Sequence, residues 1–193
     1  MSNSPWPGLI MPYRGVVPVI DADAFIAPNA VIVGDVEIGS KSSIWFNCVV
    51  RGDTNSIRIG ARSNIQDGTV IHVDSATYGV VIGDDVTVGH MALIHACTVE
   101  DGAMIGMSAT AMDGSVVESG AILAAGALLS PGKRVPAGQM WAGTPARFVR
   151  DVTEKDKALI AYIAPHYVDL AGDYVAASQD LRTVNRASNM ETE

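Results

Sequence analysis

The stretch from Ile26 to Val50 reads IAPNAVIVGDVEIGSKSSIWFNCVV and sets Ile26, Ile32, Ile38, Ile44 and Val50 at intervals of six. The interval continues far beyond it. After three additional residues it resumes at Ile59, Ile65 and Ile71, and after five at Ile82, Val88 and Ile94. One residue is then dropped before Val99, Ile105, Ala111, Val117, Leu123, Leu129 and Val135. Of these 18 positions 17 hold Ile, Leu or Val, although those types make up only 47 of the 193 residues. The slot four residues later is small at most repeats, as at Ala30, Cys48, Ser63, Ala92, Ala109 and Ala127.

A six-residue unit is too short for a helix and suits one brief strand plus one corner, with a large and a small side chain turned inward. Three units per coil give 18 residues per turn, and six coils stacked about 4.8 Å apart satisfy one another's backbone groups. The expected fold class is therefore all-β: a parallel β-helix over residues 20–150, entered through a lead-in at 1–19. Behind it, Thr153 and Asp156 read as a helix cap with a carboxylate in the first turn. They open a C-terminal helical segment over 151–180, packed along the prism and split or kinked at Pro165. Residues 181–193 read as a disordered tail, because little in them is apolar.

Composition agrees with this. There are 23 Val and 16 Ile against 8 Leu, a β-branched excess that excludes a helical bundle. The formal charge of -8 gives no pull toward phosphate backbones or anionic lipid, so neither nucleic acid nor a membrane is an expected partner. No apolar run approaches the roughly 20 residues of a membrane helix, and the first basic residue is Arg14, unlike a signal peptide. A cytoplasmic location is expected. Cys48 and Cys97, with no CxxC spacing, read as reduced packing residues.

Three of the four histidines, His72, His90 and His95, fall within 24 residues. With the three faces of the prism labelled a, b and c, His72 and His95 each follow a face b leader, Ile71 and Ile94, in successive coils. They are expected to stand one above the other and grip one metal ion. Arg51 holds the same slot one coil earlier and is expected to pair with Asp53 or Asp67. His90 is two residues past the face a leader Val88, above Asp67, and so lies round the corner. It reaches the same metal either across that corner or from a neighbouring molecule, as a trimer about a threefold axis would arrange. His166 reads as a surface or packing residue, and Met104, Met107 and Met112 as apolar filler.

The runs RGDT (Arg51 to Thr54), NIQDGTVIH (Asn64 to His72) and IGDDVTVGH leading into LIH (Ile82 to His95) resemble the γ-class carbonic anhydrases, over residues 10 to 175. The resemblance implies a left-handed β-helix and a homotrimer in which His72 and His95 of one subunit meet His90 of the next. It further implies that a metal hydroxide held by the three histidines hydrates CO2 to bicarbonate, with Zn2+, or else Fe2+ or Co2+, as the cofactor. By position it gives Arg51 and Asp67 an interface ion-pairing role, makes Asn64 and Gln66 orient the metal-held solvent, and sets Tyr167 near the site. Active members of the family carry a glutamate-rich proton-shuttle loop. The loops here, residues 53–56 and 73–80, contain no Glu, which predicts slow proton export unless Asp74, Tyr78 or buffer takes over. Related proteins also suggest CoA-thioester hydrolysis, acyl transfer, or a metal-stabilised assembly role as alternatives.

Overall fold

The computed structural model describes the backbone of residues 8–190 and the side chains of residues 8–178. It is a parallel β-solenoid of about 7 turns with one C-terminal helix. Most strands are two or three residues long, as a six-residue repeat demands. The three faces stack in register. On face b, Val31, Val49, Val70 and Leu93 align in successive coils, as do Ile32, Val50, Ile71, Ile94, Ala111 and Leu129. The second of these columns is the inner one.

Every inner column is dry. Ile32, Val50, Ile71, Ile94, Ala111 and Leu129 on face b are at most 1% exposed, and Ile26, Ile44, Ile65, Val88, Ile105 and Leu123 on face a are fully buried. Each buried Ile or Leu contributes roughly 1.5–3 kcal/mol, so the hexapeptide leaders form one continuous core along the axis. The small slots, Ala30, Cys48, Thr69, Ala92, Ala109 and Ala127, are buried as well, because the prism is too narrow at its corners for anything larger. Most corners place one residue in the left-handed region. From Gly102 to Gly138 such residues recur every sixth position, and Ser108 is the one that is not glycine.

Four expectations about the boundaries require correction. The solenoid begins inside the supposed lead-in: Leu9–Met11 pairs parallel with residues 31–33, a coil hidden from the periodicity because a Tyr13–Val16 bridge interrupts it. Residues 1–7 lie outside the described residues. At the other end the chain turns back, and Arg147–Asp151 pairs antiparallel with Gln139–Ala142 to cover the last edge of face a. The helix Glu154–Met190 is a single element that Pro165 does not split. Ala164 and Ala171 are buried on either side of Pro165, and Tyr167, Leu170 and Val175 pack against the core beyond it, so tertiary contacts hold the helix across a residue that local rules disfavour. The helix also continues to Met190, through most of the stretch expected to be a tail, because residues 173–190 contain neither Gly nor Pro and propagation past a formed nucleus is inexpensive. Residues 191–193 lie outside the described residues.

The helix start is as expected. Thr153 Oγ1 accepts from the Asp156 amide at 3.3 Å while Asp156 Oδ2 accepts from the Thr153 amide at 2.8 Å, a reciprocal cap. The helix lies on face a, anchored by an aromatic cluster in which Trp45 meets Tyr167 at 5.2 Å and Tyr174 at 5.4 Å between ring centroids. Cys48 and Cys97 are free and buried, and burial pushes their thiols up to about 11 and about 12. Among the described residues no helix is long and apolar enough to cross a membrane.

Candidate metal centre

The register brings Arg51, His72 and His95 into one column on face b, aligned strand to strand. Because side chains alternate along a strand, a residue that follows a buried leader faces outward; His72 and His95 are accordingly only partly buried. Their rings lie 5.2 Å apart between centroids, and His72 Nδ1 stands 3.2 Å from His95 Nε2. Behind each ring is a carboxylate. His72 Nε2 is 3.1 Å from Asp53 Oδ1, and His95 Nδ1 is 2.6 Å from Asp113 Oδ1.

These partners decide the tautomers. An ionised carboxylate only accepts, so an imidazole in its neutral form donates its single N–H to its aspartate and keeps a lone pair on His72 Nδ1 or on His95 Nε2. With both rings in that form the two nitrogens, 3.2 Å apart, are both acceptors and are placed to share one electrophile. Two nitrogen ligands of a tetrahedral zinc ion, each about 2.0–2.1 Å from it, are themselves roughly 3.3–3.4 Å apart. The donor pair therefore fits a metal ion, and the carboxylate–imidazole arrangement behind it is the one that orients metal-binding histidines generally.

Arg51 pairs with Asp53, one of the two partners expected for it. Burial raises the Asp53 carboxyl, but the hydrogen bonds from Arg51 and His72 and the Arg51 charge hold it below the usual carboxylate range. The other expected partner, Asp67, binds His90 instead, at 2.8 Å from its Nδ1. This leaves His90 Nε2 as the free donor, in the same tautomer-fixing arrangement as the other two. Asn64 and Gln66 lie on face a, buried at 1% and 5% exposure. Gln66 Nε2 donates to Asn64 Oδ1 at 3.0 Å, and Asn64 Nδ2 donates to Thr87 Oγ1 at 3.0 Å. Tyr167 comes from the helix to the same side, where burial, and then the Asp67 charge, raises its hydroxyl above the ordinary tyrosine value.

The expected residues thus fall into two groups in one chain: Arg51, Asp53, His72 and His95 on face b, and Asn64, Gln66, Asp67, His90 and Tyr167 on face a or at its edge. Among the described residues no three His, Cys, Asp or Glu side chains converge on a metal position, so one chain supplies a two-nitrogen grip. Sequence reading missed Asp113. It stands one residue past Met112, the position that the Ile94–Ala111 register sets over His95, so the repeat does not single it out. His166 stacks on Tyr162 at 5.3 Å, in keeping with a packing role.

The family profile described as "Bacterial transferase hexapeptide (six repeats)" matches residues 18–52. Gamma carbonic anhydrase 2, mitochondrial, of Arabidopsis thaliana is 48% identical over 159 residues, covering 80% of this chain and 57% of that protein. The chain thus spans under two thirds of the length of that plant relative. The carbonic anhydrase of Geobacillus kaustophilus is 45% identical over 175 residues, covering 91% of this chain and 95% of that protein. Among solved structures, a hexapeptide transferase family protein from Anaplasma phagocytophilum is 46% identical with a TM-score of 0.83, covering 86% of this chain and 98% of that one. With the solenoid, the histidine column and these relatives taken together, the chain belongs to the γ-class carbonic anhydrase family of hexapeptide-repeat proteins.

Proposed function

We propose that this chain is a metal-dependent carbonic anhydrase that hydrates CO2 to bicarbonate in a homotrimer, where His72 and His95 of one subunit share a cation with His90 of the next. The observation that carries the reading is the facing pair of imidazole nitrogens 3.2 Å apart, each ring held from behind by an aspartate. His90, with its own aspartate, supplies the third donor that an open catalytic site needs. Three imidazoles suit Zn2+, Fe2+ or Co2+ alike. A divalent cation held by neutral ligands makes a coordinated water acidic near neutral pH, as zinc does in carbonic anhydrases, and so provides the nucleophile for CO2.

The chain's own residues do the rest. Asp53, Asp67 and Asp113 hold the ring orientations and, on a neutral imidazole, fix which nitrogen carries the proton. Gln66 has one N–H committed to Asn64, which leaves its carbonyl oxygen and second N–H to orient the water and the incoming CO2. The amides of Thr77 and Ala76 bind the Asp74 carboxylate and hold it below the usual range, which disfavours it as a proton carrier near neutral pH. Proton export then falls to Tyr78 or to buffer, so turnover is slow and buffer-dependent.

Acyl transfer is the second reading, favoured by the transferase name of the Anaplasma structure and by a groove of about 490 Å³ between the helix and the Gly102, Gly120 and Gly138 corners. The groove is a poor fit for CoA phosphates, because among the described residues its one lining cation, Lys157, is paired with Glu154 at 2.7 Å. Stopped-flow CO2 hydration by wild type and His72→Ala, each loaded with Zn2+ or Fe2+, tests the choice. Activity in wild type and its loss in the variant support hydration, and a trimeric mass by sedimentation supports the shared site. Silence in wild type with both metals, together with cleavage of acetyl-CoA, overturns hydration in favour of the second reading.

A further inference from the structure

We infer that Asp113 is a positioning residue of the metal centre: its carboxylate keeps the proton of His95 on Nδ1 and so presents His95 Nε2 as a metal donor. The inference rests on the metal reading above and adds to it a residue that the motif runs do not contain. The His95 Nδ1 to Asp113 Oδ1 distance of 2.6 Å is the shortest of the three histidine–aspartate contacts, in the range of charge-assisted hydrogen bonds. A neutral imidazole has one N–H. With that proton spent on Asp113, Nε2 faces His72 Nδ1 as a lone pair.

The backbone around Asp113 is held so that this contact is built in. The Gly114 amide donates to the Ala96 carbonyl at 2.8 Å in the coil of His95, and the Gly132 amide donates to the Asp113 carbonyl at 2.9 Å from the coil beyond. Gly114 has φ +65° and lies against the Tyr78 ring, whose carbons are 3.1 Å from where a Cβ would stand. A side chain there would push the ring away and strain the turn. The corner is therefore fixed from both neighbouring coils and roofed by Tyr78. Asp53 differs, because Arg51 holds it as well as His72. Among the described residues no Lys or Arg pairs with Asp113, so its one ionic partner is the imidazole.

The test uses the full chain with Asp113→Asn, Asp113→Glu and, as a surface control, Asp173→Asn. Zinc affinity is measured by competition with a chromophoric chelator, the Co2+ visible spectrum reports donor geometry, and 15N NMR of the metal-free protein at pH 8.5 reports the His95 tautomer. Wild type is expected to carry the proton on Nδ1. Asp113→Asn should bind zinc about 10- to 100-fold more weakly, with an altered Co2+ spectrum and a mixed tautomer but an unchanged oligomer mass. Asp113→Glu should recover part of the affinity and Asp173→Asn all of it. Zinc binding by Asp113→Asn within twofold of wild type, or a wild-type His95 proton on Nε2, overturns the inference and leaves the metal reading standing. A wild type that binds no metal overturns both. Should Asp113→Asn fail to fold, the wild-type tautomer decides the matter.

Discussion

Ile94 and Leu93 are neighbours on one three-residue strand with opposite fates. Ile94 is fully buried and aligned between Ile71 and Ala111, whereas Leu93 points outward at 36% exposure. Ile94→Ala removes three carbons, a transfer loss of about 2.4 kcal/mol at roughly 0.8 kcal/mol each. A cavity adds to it, and Ala111 on one side is too small to collapse into the gap. The expected total is about 3–4 kcal/mol, in the middle of the range for such truncations. Ile94→Val should cost only about 0.5–1.5 kcal/mol. Urea unfolding followed by tryptophan fluorescence measures all three variants, and zinc affinity should fall for Ile94→Ala because His95 is the next residue. Leu93→Ala should cost less than Ile94→Ala, with a loss that depends on protein concentration if subunits cover face b. A loss under about 1 kcal/mol for Ile94→Ala, or equal and concentration-independent losses at both positions, would refute the inward assignment of the hexapeptide leaders.

Other expectations follow from particular groups. Asp53 has a depressed carboxyl in the folded chain, so its stabilisation is present above the ordinary aspartate value near ~3.9 and is lost as pH falls through the folded value. Asp53→Asn should therefore lower Tm at pH 7 and flatten the acid side of a Tm–pH curve, and an unchanged curve would contradict this. Cys48 and Cys97, buried with thiols raised to about 11 and about 12, should not react with a thiol reagent at pH 8 until the protein unfolds, when both should. Gly34 has φ +76° and a Cβ there would stand 2.3 Å from the Gly52 carbonyl oxygen; Gly34→Ala should lower Tm by several degrees, measured by calorimetry.

The legible parts of this protein were those written at the repeat interval. The leaders from Ile26 to Val135 mark the inner columns, and their spacing sets His72 over Arg51 and His95 over His72. Where the interval is broken, the sequence carries no such mark. Leu9–Met11 joins the solenoid from across a small hairpin, so nothing local marks it as a coil. Pro165 is a helix breaker by local rules, yet face a holds the helix on both sides of it. Asp113 was invisible because one aspartate among many outward corners carries no local signature. It matters only by being one coil away from an imidazole.

Which side chains point inward and which histidines share a column follow from the order of amino acids alone, because a six-residue period commits every position to a face and a slot once the coil closes. Which carboxylate meets which imidazole is set by the folded chain: Asp53 with His72, Asp67 with His90, Asp113 with His95. Those pairings depend on ångström-scale distances between neighbouring coils and on the twist of each corner. Hydrogen bonds require both to be right at once, and a hydrophobic period constrains neither.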